Sequence, residues 1–377
     1  MNESTKPEKA VARNSNLEIL RIISMLLIIM HHYSIHGAFV LDPSILTTNK
    51  VIVQILSAGG KLGVDCFILI SGYFMIESSF KVKKLFKLVC EIFFYSAIVF
   101  VIFTVFGLAD FSVKLAIKSF FPTIFSMYWF ATTYVVLYIF SPYLNLFING
   151  LDEKKHFKLI LLLIILWSLI PMFTTAAPGM SNLSWFMTLY IIAAYIRLHP
   201  NKWFEKDKLN IWFAIATYAL ILLSFILFDI IGLRINVVGK HATYFMSMNN
   251  LPMLFCAVTL LLGFKNLKIK DNKAINGIAA SMFGVYLIHD NYFVRPFIWE
   301  KVFRNNAYYD SSYLVIHALI AIILVFVICV VIDQIRIKLI EKPFFKFVDK
   351  KWNVITAFAN VFKNKFETIL AQICDKA

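Results

Sequence analysis

The first apolar segment of the chain contains two ionisable side chains, Arg21 and His32, whose spacing places them on the same side of a helix. At about 100° per residue, the eleven steps between them come to roughly three turns plus about 20°. Both side chains therefore lie on one helix face, about 16 Å apart along the axis. Ionisable groups are costly inside a bilayer and usually face a bundle interior, where they are functional candidates. The alternative is an arginine that snorkels at the helix end and a histidine that only packs.

Composition identifies the class of protein. The chain of 377 residues is 60% hydrophobic and 16% charged, with a mean hydropathy of +0.75, whereas soluble domains contain about 25% charged residues. The net charge of +15 does not indicate nucleic-acid binding, because membrane proteins collect lysine and arginine in cytoplasmic loops. The five cysteines show neither metal-ligand spacing nor a disulfide framework. We therefore predict an integral membrane protein with several spans.

Apolar runs separated by polar or Pro/Gly-containing stretches predict an all-α polytopic bundle of about ten transmembrane helices. Their approximate bounds are 17–38, 55–76, 85–107, 127–148, 157–175, 182–198, 210–232, 244–264, 276–294 and 312–340. The stretch 111–126 is a shorter amphipathic piece, either interfacial or re-entrant. The apolar run 354–362 predicts a helix that lies on the membrane surface.

The distribution of lysine and arginine predicts the orientation. These residues are more numerous after the even-numbered spans and at the termini than after the odd-numbered spans. The positive-inside rule then places both termini in the cytoplasm, and we expect a multi-pass protein of the bacterial plasma membrane. No signal-peptide pattern is present. The predicted organisation is an N-terminal tail at 1–16, a membrane domain at 17–344 and a basic C-terminal tail at 345–377.

The second apolar segment carries a carboxylate, Asp65, after the glycine-rich run 59–63. The glycines indicate either a close backbone approach or an unwound helix start. Asp65 is either a partner that orients or charges a histidine, or a helix-start residue that serves as a counter-ion to Lys61. The sequence leaves both readings open.

Histidines cluster at the end of the first segment. His32 and His36 have the i, i+4 spacing that can bind zinc, but no third ligand stands at an obvious spacing, so we predict no metal site. His31 points about 80° to 100° away from the face of Arg21. We therefore expect His31 to be structural.

Two further groups of side chains lie at or inside the predicted spans. Tyr128, Trp129 and Trp185 stand near helix starts, as is typical of the aromatic belt. His289 with Asp290 lies inside the ninth span and is costly there unless it lines a cavity.

The motifs taken together resemble the acyltransferase 3 family of membrane carbohydrate O-acyltransferases. The resemblance covers the chain from about Leu17 to Phe344. It rests on Arg21 with His32, GVDCFILISGYF in the second segment, YWF at 128–130, YLIH at 286–289 and EKPF at 341–344. The amino-acid sequences of the second and fourth segments are most similar to those of stand-alone bacterial polysaccharide O-acetyltransferases.

The resemblance implies an acetyl transfer from cytoplasmic acetyl-CoA to a hydroxyl of a cell-surface or lipid-linked carbohydrate. It implies catalytic roles for His32, Arg21 and Asp65, and donor binding by Arg21, Lys83 and Lys84. We expect substrate contacts from Tyr128, Trp129, Trp185 and His289, whereas the role of Glu341 stays open. The family often has arginines after the second helix. Here there are lysines, which bind phosphate as point charges rather than as forks.

The expected partners are acyl-CoA as a co-substrate, the carbohydrate acceptor and membrane lipid, with no tightly bound cofactor and no nucleic acid. A homo-oligomer is compatible with the sequence. The main alternative is a proton-coupled secondary transporter that uses the intramembrane His and Asp residues, although no paired broken helices in two related halves are evident. A binding or signalling protein would leave the intramembrane ionisable residues unexplained.

Overall fold

A computed structural model describes residues 15–174, 176 and 179–352. Every regular element in these residues is helical. The α-helices of this part of the chain include α1 (Ser15–Ile35), α2 (Thr48–Met75), α3 (Val82–Val105), α4 (Val113–Phe120), α5 (Trp129–Asn149), α6 (Glu153–Ile164), α7 (Ile170–Phe173), α8 (Asn182–Leu198), α9 (Asp207–Gly232), α10 (Asn236–Lys240), α11 (Leu251–Asn266), α12 (Lys273–Ala279), α13 (Met282–His289), α14 (Val294–Pro296) and α15 (Leu314–Arg336), and residues 342–352 are also helical. The helix predicted at 354–362 lies outside the described residues.

Eight helical stretches of the described chain are long and apolar enough to cross a membrane, which confirms the all-α polytopic fold. They are Ser15–Ile35, Thr48–Met75, Val82–Val105, Trp129–Asn149, Glu153–Phe173, Asp207–Gly232, Asn236–Asn266 and Leu314–Trp352. The predicted sixth span is α8, which has only 17 residues. The predicted ninth span is divided into α12 and α13 by a break at residues 280–281. The amphipathic stretch 111–126 contains the short helix α4.

Side-chain caps set several of the helix starts. The Thr47 hydroxyl accepts from the backbone N–H of Lys50 at the start of α2, and Ser181 forms a capping box with Ser184 at the start of α8. Asp152 caps α6 by accepting from the backbone N–H of Lys155, and this hydrogen bond lowers the pKa of the exposed Asp152 carboxyl. These caps supply partners for donors that the first helical turn leaves free.

A proline and an asparagine explain the irregular end of the fifth span. A π-helical turn, Ile165–Leu169, connects α6 to α7. Pro171 lacks the N–H that would bond to the carbonyl of Trp167 four residues earlier. Asn249 donates its Nδ2–H to that carbonyl at 2.9 Å. A side chain from the α10–α11 connection thus supplies the hydrogen bond that proline cannot.

Glycines allow α1 and α2 to pack closely. A Cβ atom on Gly63 would lie 2.5 Å from the Ser24 carbonyl oxygen, and one on Gly60 would lie 2.3 Å from Cγ of His31. Any side chain at these positions would push the helices apart. Since α2 is continuous through this region, the glycines mark a close approach rather than an unwound helix start.

A buried ion pair joins α2 to α9. Nζ of Lys50 lies 2.8 Å from Oδ1 of Asp229, and both side chains are almost completely buried. Lys50 also donates to the carbonyl of Ile45 at 3.0 Å. The pair ties the connection between α1 and α2 to the end of α9.

The chain divides into two compact units, Met1–Cys329 and Val330–Ala377. In the second unit, Nε of Arg336 lies 2.9 Å from Oδ1 of Asp333, and Nη1 lies 2.7 Å from Oε2 of Glu341. Glu341 is therefore part of an ion-pair cluster at the π-helical turn Ile337–Glu341, and the chain continues as a helix from residue 342 to residue 352.

Candidate functional site

Two histidines, His32 on α1 and His289 at the end of α13, form the centre of the site. Nδ1 of His32 lies 2.9 Å from Nε2 of His289, and Nδ1 of His289 lies 2.6 Å from the carbonyl oxygen of Val285. A carbonyl only accepts, so Nδ1 of His289 carries a proton. With both rings neutral, Nε2 of His289 then accepts the proton of His32 Nδ1. This chain of hydrogen bonds leaves Nε2 of His32 unprotonated, as a general base requires.

A buried carboxylate, Asp290, lies beside the histidines. Its Oδ1 is 3.7 Å from Nδ1 of His32 and 3.9 Å from Nε2 of His36. Nε of Arg295 lies 2.9 Å from the same oxygen, and Nη2 of Arg295 donates to the Asp290 carbonyl at 3.1 Å. The guanidinium compensates the buried negative charge, and the carboxylate stabilises an imidazolium that forms on His32.

These groups border a cavity that we call the central cavity. It encloses about 740 Å³ of empty space, including its open mouth. His32, Asp290 and Arg295 line it, together with apolar residues of α1 and α2. Lys61 also lines it, and its Nζ lies 5.2 Å from the ring centroid of Trp129 in a cation–π contact. The cavity thus combines a histidine base with two cationic side chains.

A second cavity, which we call the basic cavity, lies at the Arg21 end of α1. It holds about 1180 Å³ of empty space, including its open mouth, and its wall includes Arg21, Lys84 and Lys87. Glu18 also lines it and accepts from Nη1 of Arg21 at 2.7 Å. Arg21 and His32 therefore line two different cavities along one helix.

Lys83, the second lysine predicted to bind the donor, does not line this cavity. On α3, Lys83 is turned by about 100° from Lys84 and by about 40° from Lys87, so it lies at the edge of the face that Lys84 and Lys87 present. The wall of the cavity therefore contains Lys87, rather than Lys83, beside Lys84.

Three aromatic rings separate the two cavities. Phe67 of α2, Phe130 of α5 and Phe283 of α13 line both of them, and no other described residue does. The rings of Phe67 and Phe130 meet edge to face with centroids 6.3 Å apart. We call these three residues the phenylalanine partition.

Asp65 requires a correction. It is completely buried, and its Oδ1 accepts from Nε1 of the equally buried Trp185 at 3.0 Å. This bond connects α2 to α8. The carboxylate beside His32 is that of Asp290, so the predicted contact between Asp65 and His32 is replaced by one that the structure builds from α13.

The predicted substrate contacts also change. Of the four residues, Trp129 lines the central cavity, whereas the other three do not. Tyr128 donates to the Leu287 carbonyl at 3.1 Å and accepts from Asn291. Trp185 donates to Asp65 and His289 bonds to His32, as described above. The polar atoms of these three residues are hydrogen-bonded to protein groups, and their contact with a substrate stays a prediction.

His31 and His36 have different surroundings. Nδ1 of His31 lies 2.5 Å from the carbonyl of Ser57, and its ring packs on Gly60, in keeping with a structural role, although it also borders the central cavity. In the described part of the chain, His32, His36 and Asp290 are the group of side chains whose ligand atoms are close enough to hold a metal ion, within 4.8 Å of one another. Arg295 is already paired with the Asp290 carboxylate of this group, and its positive charge disfavours the binding of a metal cation.

The sequence marks Asp290 as a costly intramembrane carboxylate but carries no signal for its partner. His36 and Asp290 are far apart in the chain, and only the packing of α13 against α1 brings them together. From the sequence, an ion pair between Lys61 and Asp65 was one of two open readings. Its place in the wall of the central cavity depends on the register of α2 against α5, which a single sequence does not reveal.

Comparison with known families gives one finding. A family model described as an acyltransferase domain, Acyl_transf_3, matches residues 14–334. Comparison with curated proteins and with solved structures gives no match. The matched range contains every residue that lines the central and basic cavities.

Proposed function

The chain belongs to the acyltransferase 3 family and is a membrane acyltransferase; from this premise, we propose that it transfers an acetyl group from cytoplasmic acetyl-CoA to a hydroxyl of a cell-surface or lipid-linked carbohydrate. The observation that carries the proposal is the hydrogen bond from His32 to His289, which leaves an unprotonated nitrogen on a ring that lines the central cavity. The basic cavity, on the other side of the phenylalanine partition, supplies cations for the donor.

The reaction follows from this arrangement. Nε2 of His32 takes the proton of the acceptor hydroxyl while the hydroxyl oxygen attacks the thioester carbonyl carbon. The tetrahedral intermediate collapses, the C–S bond breaks, and the sulfur leaves with the proton from His32. The products are the carbohydrate ester and free coenzyme A. Asp290, 3.7 Å from Nδ1 of His32, stabilises the imidazolium between the two proton transfers.

Cationic side chains suit the charge that develops during this reaction. The tetrahedral intermediate carries a negative oxygen, and preorganised positive groups in a site that excludes water stabilise such an oxyanion strongly. Lys61 and Arg295 both line the central cavity. We assign the oxyanion to Lys61, because Arg295 is already paired with Asp290.

The donor phosphates suit the basic cavity. The cations of its wall are Arg21, Lys84 and Lys87. Charge-assisted hydrogen bonds to phosphate are stronger than hydrogen bonds between neutral groups. The positive-inside rule places the Arg21 end of α1 in the cytoplasm, which is where coenzyme A thioesters are made.

A proton-coupled transporter remains the second candidate, because two histidines and a carboxylate inside a membrane also suit a proton relay. Release of free coenzyme A separates the two. We expect membranes that contain the protein and its native acceptor to release thiol from acetyl-CoA, and membranes with the His32→Ala variant not to do so. Mass spectrometry of the surface polysaccharide should find acetyl esters only with the wild-type protein. Equal thiol release from the two membranes would contradict the enzymatic proposal.

A further inference from the structure

We propose that the phenylalanine partition selects the acyl group by length, favouring the acetyl chain over butyryl and longer ones. The inference rests on the proposed function, because it requires a thioester donor. It assigns a specificity-determining role to Phe67, Phe130 and Phe283, which come from three different helices and are shared by the two cavities.

The first step concerns the position of the partition between the reacting groups. The cations that suit the donor phosphates line the basic cavity, whereas His32 lines the central cavity. Arg21 and His32 are about 16 Å apart along α1. A donor held at one end must therefore extend its arm towards the base at the other, which brings its thioester and acyl chain to the rings.

The second step concerns the rigidity of the rings. Phe130 is only 8% exposed. Its ring packs edge to face against Phe186 at 5.6 Å and against Tyr286 at 5.4 Å between centroids. Phe67 and Phe283 are half-buried. Phe130 thus forms a fixed wall, and the other two rings keep a surface free for a ligand.

The third step concerns the chemistry of discrimination. The alkyl part of an acyl chain has no polar group that a site can recognise. Its length is therefore the property by which an apolar wall can discriminate between chains. Well-packed pockets discriminate by about 10- to 200-fold for one methylene group. Truncating a ring at the partition opens space beside the thioester and should relax this limit.

The test compares acetyl-, propionyl- and butyryl-CoA as donors. Thiol release is measured with membranes that contain the protein and its native acceptor, and the release by His32→Ala membranes is subtracted. The variants are Phe67→Ala and Phe283→Ala, each with a milder Phe→Leu counterpart in case the alanine variant does not fold. The matched control is Phe140→Ala, because Phe140 also lies on α5, is 44% exposed and lines neither cavity.

We expect the ratio of butyryl- to acetyl-CoA use to rise by about tenfold or more in Phe67→Ala or Phe283→Ala, by less in the leucine variants, and not at all in Phe140→Ala. An unchanged ratio in all folded partition variants would overturn the proposal, as would an equal rise in the control. If wild-type membranes release no more thiol from acetyl-CoA than His32→Ala membranes, the proposed function itself fails. The two failures are therefore distinguishable.

Discussion

His32 is the side chain on which the proposed chemistry depends most directly. Replacing it by alanine removes the proton acceptor, and loss of a general base typically costs about 10²- to 10⁴-fold in rate. We expect this loss in kcat for His32→Ala, with expression and thermal stability near those of the wild type. The measurement is thiol release from acetyl-CoA.

His31 provides the matched control, because it is the adjacent residue on α1 and bonds to the Ser57 carbonyl rather than to His289. We expect His31→Ala to retain most of the activity, with any loss accompanied by lower thermal stability. The opposite order of the two variants would show that the base is assigned to the wrong ring.

His289 acts through His32, so its variants test a positioning role. Without an acceptor at Nε2 of His289, the proton of His32 is free to occupy either ring nitrogen, and only one tautomer presents a base at Nε2. We expect His289→Ala to lower kcat by less than His32→Ala does, with little change in donor KM. His289→Gln retains an acceptor oxygen and should recover part of the rate. Equal rates for the glutamine and alanine variants would speak against control of the tautomer.

At the scale of single elements, α3 carries two lysines that line the basic cavity and one that does not, and we expect only the first two to bind the donor. Lys84 and Lys87 line the basic cavity. We expect Lys84→Gln and Lys87→Gln to raise the KM for acetyl-CoA several-fold and to leave the acceptor KM nearly unchanged. Lys83→Gln is the control, because it removes the same charge one residue away from the cavity face. A uniform effect of all three variants would indicate a general electrostatic role.

The ion pair between α2 and α9 makes a separate prediction about stability. Removing one partner of a buried pair leaves the other charge uncompensated, at a cost of about 3–5 kcal/mol. We expect Lys50→Met to lower the thermal unfolding temperature in detergent substantially. The double variant Lys50→Met with Asp229→Leu should regain much of that loss, because no buried charge is left. A double variant as unstable as the single one would mean that the hydrogen bond to the Ile45 carbonyl matters more.

The sequence predicted elements better than it predicted contacts. Helical periodicity placed Arg21 and His32 on one face of α1, and both do line cavities. The third helix was predicted to begin at residue 85, so the preceding lysines were placed in a loop with no defined face. The helix begins at Val82, and its period is what separates Lys83 from Lys84.

The pairing of the buried carboxylates was beyond the reach of sequence patterns. The cost of burying a charge predicted that Asp65 has a partner. That partner, Trp185, comes from α8. Asp290 reaches His32 in the same way, from α13. Such pairs depend on how distant helices pack, and local periodicity carries no information about that packing.

At the scale of the whole molecule, the orientation in the membrane is the prediction to test first. The lysine and arginine distribution predicts that both termini lie in the cytoplasm. In a variant without native cysteines, we expect Lys155→Cys to be protected from an impermeant thiol reagent added outside, and Lys240→Cys to react with it. The reverse labelling pattern would invert the orientation and remove the argument that the basic cavity faces the donor.

The phenylalanine partition has a consequence for the membrane as well as for the reaction. An enzyme that admits a polar donor and a polar acceptor to one bilayer risks a continuous column of water, along which protons and ions would leak. Apolar constrictions resist hydration and can block ion passage by dewetting. Phe67, Phe130 and Phe283 stand where the two cavities meet. Under the proposed function, these rings would also keep the two cavities from joining into one column of water across the membrane.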